Sequence, residues 1–104
     1  MSDSLDRVFA ALADPTRRQL VVRLRAQGPM SATGLAEGAE MTRQAIVKHL
    51  QVLDEAGLVE GERAGREVRY RVTPGPLTDA TAWLVANGAR WDRRLERLRA
   101  RLQT

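Results

Sequence analysis

The chain contains no cysteine and a single histidine, His49. Disulfides, thiolate metal sites and cysteine nucleophiles are excluded together, and one imidazole cannot build a multi-histidine metal site within one chain. Aromatic residues are scarce: one Phe, one Tyr and two Trp. That argues against a platform on which single-stranded bases stack. No apolar run approaches the ~20 residues of a membrane span. The N-terminus, Met1-Ser2-Asp3-Ser4, carries acid where a signal peptide would carry basic residues. A soluble, cytoplasmic protein with no membrane partner is therefore expected. Lysine is nearly absent as well, since sixteen of the seventeen basic residues are arginine. An arginine-for-lysine preference suits phosphate binding, because the guanidinium offers a forked donor set. It also suits a GC-rich genome, so the placement of the charge has to decide.

What is present is globular. Hydrophobic residues make up 43% and charged residues 29% of 104 residues, which is enough for one domain and too short for two. A domain this small buries a modest share of its surface, which makes burial against a partner an expectation. Residues 1–57 hold seven basic and seven acidic side chains, whereas residues 58–104 hold ten and six. The whole surplus of +4 therefore lies in the second half.

Leu5, Val8, Phe9 and Leu12 repeat at helical spacing and predict a short first helix. Asp14-Pro15 reads as an N-cap followed by proline at the first position of a second helix, whose buried stripe is Leu20, Val21 and Leu24 and which Gly28-Pro29 stops. Ser31 can cap a third, short helix through Ala39, with Leu35 and Ala36 facing inward. Thr42 can cap a fourth, and the span 42–56 ends before Gly57, where a left-handed C-cap is wanted. On that helix Ile46, Leu50 and Leu53 share one stripe, and Gln44, Lys48, Gln51 and Glu55 fall on the opposite one.

Residues 59–72 read as a hairpin. Val68, Tyr70 and Val72 alternate with Glu67, Arg69 and Arg71, and Gly65 supplies a turn with Arg63 and Arg66 at its tip. Pro74-Gly75-Pro76 is expected to close it. Residues 77–102 form one long helix, on which Leu84, Gly88, Trp91, Leu95, Leu98 and Leu102 are spaced 4, 3, 4, 3, 4. That is the seam of a helix packed along another helix, and a glycine on it permits close approach. The fold class expected is mainly α with a small β-hairpin, in α-α-α-α-β-β-α order.

A helix pair followed by a charged hairpin makes a winged helix-turn-helix. A helix about 10 Å across fits the major groove if its exposed face carries side chains that match base edges. Gln44 and Gln51 can pair with adenine, and Lys48 can reach guanine or phosphate. Arginines on a hairpin tip can reach the minor groove or the adjacent backbone. A solvated helix face and a hairpin that merely covers the core are the plainer explanation of each feature taken alone. Helix, hairpin and charge placement together favour DNA.

The run ALADPTRR at residues 11–18, the run TRQAIVKHLQVLDEAGLV from Thr42 to Val59 and GREVRYRV from Gly65 to Val72 resemble the arsenical-resistance-repressor (ArsR/SmtB) family of winged-helix regulators. The likeness spans residues 5–72, and the final helix fits. It implies a homodimeric repressor on a palindromic, inverted-repeat operator, with the first and last helices in the dimer and the fourth helix as recognition helix. The absence of cysteine, together with Trp91-Asp92-Arg93-Arg94-Leu95, resembles the branch without a metal site. Val47 stands where the family often has serine, and Glu40 where glycine or asparagine is usual. Glu40 would repel phosphate, so it is expected to point away from DNA. Asp79, Asp92 and Glu96 remain near positions where relatives bind metals, without a nitrogen or sulfur ligand beside them.

Thr42, Arg43, Gln44, Ala45, Lys48, His49 and Gln51 are accordingly the candidate DNA contacts of the helix, with Arg63 and Arg66 for the wing. Leu5, Phe9, Leu84, Gly88, Trp91, Leu95 and Leu98 are the candidate dimer residues. His49 sits between the buried and exposed stripes. It could touch phosphate, but a packed histidine bonded across the helix pair is the favoured reading. Trp83 and Trp91 suit core or dimer packing better than an effector pocket. Arg90, Arg93, Arg94, Arg97, Arg99 and Arg101 read as the solvated flank of a dimer helix. Asp3, Asp6 and Asp14 read as capping and surface charges. No serine, carboxylate pair or glycine-rich loop has the partner set that catalysis needs, and nothing calls for a metal or cofactor. The rival function is a winged helix redirected to protein–protein contact. A ligand-gated sensor of the same fold differs only in having an inducer, and the residues name none.

Overall fold

A computed structural model describes the backbone of residues 2–102 and side chains from Ser4 onward. The N-terminal reading that rests on Met1, and the capping role of the Asp3 side chain, lie outside what is described. The elements run α1 (Ser2–Leu12), α2 (Pro15–Gln27), β1 (Met30–Ser31), α3 (Ala32–Ala36), α4 (Arg43–Glu55), β2 (Val59–Ala64), β3 (Glu67–Val72) and α5 (Pro74–Leu102). The class expected from sequence holds, with one strand added. A two-residue β1 pairs antiparallel with β3, placing Met30 opposite Tyr70 and Ser31 opposite Arg69, so the sheet has three strands in the order β1-β3-β2. Two residues carry no periodicity, so only the partner strand reveals β1.

Two boundaries also move. The third helix ends at Ala36 rather than Ala39, because the chain then turns through Gly38 at φ +115°, a conformation that favours glycine. Pro74-Gly75-Pro76 does not close the hairpin but forms the first turn of α5. Proline is tolerated there because the first turn of a helix has no intrahelical acceptor for its missing N–H.

The caps anticipated from sequence are made. Asp14 accepts from the Arg17 amide at 3.1 Å, Ser31 from Gly34 at 3.0 Å and Thr42 from Ala45 at 3.1 Å. The α4 terminus is a Schellman motif. The Leu58 amide reaches the Leu53 carbonyl at 2.9 Å, the Gly57 amide reaches Asp54 at 2.8 Å, and Gly57 takes φ +75°. Leu53 and Leu58, the apolar pair that accompanies this motif, are both fully buried.

The core draws Val8 and Ala11 from α1, Leu20, Val21 and Leu24 from α2, Leu35 from α3, and Ile46, Leu50 and Leu53 from α4. Leu58 and Val59 close it under the wing, and Ala80 is the last core residue in the chain. No polar or charged residue is buried among the described residues. The polar side chains of α4 are therefore at the surface, except for the half-buried His49. No helix among them is long and apolar enough to cross a membrane.

The hydrogen bond that the Arg17 amide donates to Asp14 holds the Asp14 carboxyl below its ordinary pKa of 3.8. The folded state thus favours the ionised cap. Its contribution is complete above that ordinary value and is lost as acid protonates the folded carboxyl below it. Asp14→Ala is expected to destabilise the fold at neutral pH through loss of the cap. Asp14→Asn, which keeps an acceptor, should cost less and flatten the acid limb of stability. Denaturant unfolding at fixed protein concentration from pH 7 down to below 3.8 checks both.

Candidate nucleic-acid interface

The α3–α4 pair is a helix-turn-helix, and three side-chain contacts hold it in place. Arg23 of α2 donates to the Leu35 carbonyl at 2.9 Å, which ties α3 to the body. Arg43, the first residue of α4, donates from Nε to Thr33 Oγ1 at 3.2 Å. At the other end, Thr73 donates from its backbone amide to the Leu58 carbonyl at 2.9 Å and from its hydroxyl to the Gly57 carbonyl. The exit of the wing is thereby bonded to the segment that leaves α4, which sets hairpin and helix in one fixed relation.

On α4 the buried stripe is Ile46, Leu50 and Leu53, as the periodicity predicts, while Gln44, Lys48 and Gln51 are exposed. No intramolecular hydrogen bond or ion pair engages those three side chains among the described residues, so their donors and acceptors face solvent. Thr42 and Arg43 are also exposed, with the Thr42 hydroxyl engaged in the cap. Ala45 is half-buried at the edge of the face. The charge along the helix is ordered. Arg43 and Lys48 lie in its first half and Asp54 and Glu55 at its end. The N-terminal half, where the helix dipole is positive, is the part that a polyanion would meet favourably. Glu40 is exposed in the preceding turn at negative φ, the left-handed position being taken by Gly38.

His49 is half-buried, and its Nδ1 lies 3.5 Å from Arg17 Nη1 on α2. The contact runs to α2 rather than across the α3–α4 pair, and the ring is held against protein on that side.

In the wing, Glu60 stands opposite Arg71 and Glu62 opposite Arg69. Arg71 is hydrogen-bonded to Glu60, and Arg69 lies 3.6 Å from Glu67. Arg63 and Arg66 are the exposed wing arginines left without a protein partner among the described residues. The turn places them at the tip. Gly65 takes φ +66° and Arg66 does not share it, which is the φ pattern of a type II′ hairpin turn. Gly61 has a separate cause. A Cβ there would come within 2.9 Å of Val68 Cγ1 on the facing strand, so the position is held to glycine by close strand approach. The expected alternation of β3 survives at Tyr70 and Val72. Val68 is 40% exposed because the outer half of the hairpin projects beyond the core.

The long helix is largely uncovered in the single chain. Leu84, Trp91, Leu95 and Leu98 are 46–62% exposed, and Leu102 is 78% exposed. A groove of about 520 Å³ follows Trp83, Leu84, Gly88 and Trp91, and open space lies over Gly88. A row of exposed apolar side chains of this kind is the feature that marks an interaction surface. Leu5 and Phe9 pack partly against the core, and the Phe9 ring meets Trp83 edge-on at 5.5 Å, which joins α1 to α5. Arg94 lies over the Trp91 ring at 5.8 Å.

Among the described residues no group of three or more His, Asp or Glu side chains is close enough to hold a metal ion. Asp79, Asp92 and Glu96 form no such group. With no thiolate in the chain and its one imidazole on α4, the donor set does not fit a transition-metal site built from several thiolates or imidazoles.

The comparisons with known proteins point the same way as this geometry. A helix-turn-helix domain family model matches residues 12–62. The transcriptional repressor SdpR of Bacillus subtilis is 31% identical over 81 residues, 78% of this chain and 89% of that protein. An ArsR-like transcriptional regulator from Rhodococcus superposes with a TM-score of 0.77 at 42% identity, covering 95% of this chain and 92% of that one. A homodimeric winged helix-turn-helix DNA-binding domain from Mycobacterium bovis, a possible ArsR-family regulator, superposes with a TM-score of 0.68 at 30% identity, covering 83% and 80%.

Proposed function

Because the chain belongs to the ArsR/SmtB-type family of winged helix-turn-helix DNA-binding transcriptional regulators, we propose that it is a homodimeric repressor of an inverted-repeat operator. The recognition helix α4 lies in the major groove and the wing lies on backbone or minor groove. Occupancy of promoter DNA by the dimer then blocks transcription, without an enzymatic step. The observation that carries this reading is the pairing of an amide and cationic face on α4 with two arginines at the wing tip, all without a protein partner among the described residues, on elements bonded to each other through Thr73. The homodimeric relative from Mycobacterium bovis and the repressor SdpR support the assembly and the sign of regulation. The uncovered seam of α5 supports a second copy as its occupant.

In this arrangement Gln44 and Lys48 meet base edges, Gln51 lies further along the same face, and Thr42 and Arg43 stand at the helix start beside phosphate. Gln44→Ala should cost on the order of 1–3 kcal/mol and relax preference at one base position. Titration against operator variants, each with one base pair changed, checks this. A uniform loss across all variants would make Gln44 a contact that orients the helix without reading sequence.

The wing contributes through charge. Alanine at both Arg63 and Arg66 should weaken binding to all sequences alike. The slope of log affinity against log salt should flatten by ~0.9 for each phosphate that the wing no longer neutralises. An unchanged slope would leave the hairpin as a fold element only.

A further inference from the structure

The two arginines that end the motif ALADPTRR do different things in the fold. Arg18 donates to the Leu12 carbonyl at 2.7 Å and the Ala13 carbonyl at 3.1 Å. Arg17 donates from Nε to the Ala11 carbonyl at 2.7 Å and from Nη2 to the Ala10 carbonyl at 3.2 Å. Together they serve the Ala10, Ala11 and Leu12 carbonyls at the end of α1, the negative end of its dipole. Only Arg17 goes further: its Nη1 lies 3.5 Å from His49 Nδ1 on α4 and 3.9 Å from Asp14 Oδ2 at the start of α2, while its side chain is 18% exposed.

We propose that Arg17 is a positioning residue. Its guanidinium braces the recognition helix, through His49, against the C-terminal end of α1, so that the helix carrying the dimer residues Leu5 and Phe9 and the helix facing DNA keep one fixed relation. This rests on the reading of α4 as the DNA-reading helix. A planar fork is what the task requires. It presents several donors in fixed directions and serves two carbonyls and an imidazole at once, whereas an ammonium is a point charge on a flexible stem. The guanidinium has only donors, so a hydrogen bond at this contact requires His49 Nδ1 as the acceptor, with the ring proton on Nε2. The recognition helix of a dimer must be held at a set spacing from its symmetry mate, since the two half-sites are a fixed distance apart. A brace between α1 and α4 controls that spacing and the tilt of the helix without touching DNA.

The test compares Arg17→Lys with Arg18→Lys in the full-length protein. Both keep the charge and both disturb the end of α1, but only the first removes the link to α4. Arg17→Lys should lower operator affinity about tenfold, roughly the effect of removing one base contact. Its affinity for unrelated duplex DNA should stay within about twofold of wild type, since that is set by charge. Arg18→Lys should leave operator affinity within about twofold of wild type under the same charge argument. In a double-mutant cycle, Arg17→Lys should add little once His49→Gln is present, because contacting residues are not additive. Equal losses for the two lysine variants, equal losses on operator and unrelated DNA, or additive effects with His49→Gln would each overturn the brace. Nitrogen chemical shifts of the His49 ring in the DNA-free protein test the contact independently of DNA. A proton on Nε2 is expected, and a proton on Nδ1 contradicts the contact whether or not the protein reads sequence. A wild-type protein without sequence preference would instead defeat the functional reading on which the proposal rests.

Discussion

Truncation after Gly88 is expected to leave a folded monomer that no longer binds an inverted repeat. The reason is where the core ends. Ala80 is its last member, and Trp83 still reaches Phe9, so both sides of the cut are defined. Residues 89–102 contribute Trp91, Leu95, Leu98 and Leu102 to an apolar seam that the single chain leaves open. Removing them subtracts nothing from the packed interior and everything that the distal half of α5 could bury against a second copy. Operator affinity should then fall to the level of unrelated duplex DNA, since one half-site offers about half the base contacts and specific binding typically exceeds non-specific binding by ~10³ or more. Sedimentation together with operator titration reads both consequences. An intact dimer after truncation would place the interface elsewhere.

Leu50→Ala carries the largest expected loss of stability, about 2–5 kcal/mol. Leu50 is fully buried between Ile46 and Leu53 on the inner stripe of α4, where it meets the cluster supplied by α1, α2 and the wing base. Removing its branched end leaves a cavity under the recognition helix and lowers the midpoint of thermal unfolding by roughly ten to twenty degrees. Val52→Ala, on the same helix and 38% exposed, is the comparison, and it should stay within about 0.5 kcal/mol of wild type. Thermal unfolding at matched protein concentration separates the two. A loss under about 1 kcal/mol at Leu50 would mean that α4 is held by the wing and caps rather than by its inner stripe.

Much of this was legible in the sequence because the signals were local and strong. The caps at Asp14, Ser31 and Thr42 are short-range hydrogen bonds that side-chain type alone specifies. The inner stripe of α4 follows from period, and burial reports it as read, whereas the seam of α5, read from the same kind of period, is exposed in the single chain. The misses have physical causes. β1 exists only because β3 offers an edge beside it, and that edge is some forty residues away in the chain. Proline and glycine at 74–76 carry the same signal for a turn and for a helix start, so the choice depends on how α5 packs. On the candidate site, the face Gln44, Lys48 and Gln51 and the tip Arg63 and Arg66 were readable from period and turn chemistry. That Arg71 pairs with Glu60 across the hairpin required the strand register, and that Arg69 turns to Glu67 on its own strand required the side-chain placement. The role of Arg17 was not readable. Besides the local ion pair with Asp14, its contacts run to two backbone carbonyls and to a residue 32 positions away, and backbone acceptors leave no trace in side-chain pattern.

The claim on which the rest depends is that a dimer of this chain reads sequence through α4. Selection of bound duplexes from a random pool, by the full-length protein at fixed salt, tests it most directly. The expected result is an enriched inverted repeat with half-sites about one helical turn, or a small multiple of it, apart. Binding to that repeat should weaken steeply as salt is raised. A pool with no enriched sequence, together with binding that salt leaves unchanged, would contradict it and assign the winged helix to contact with another protein.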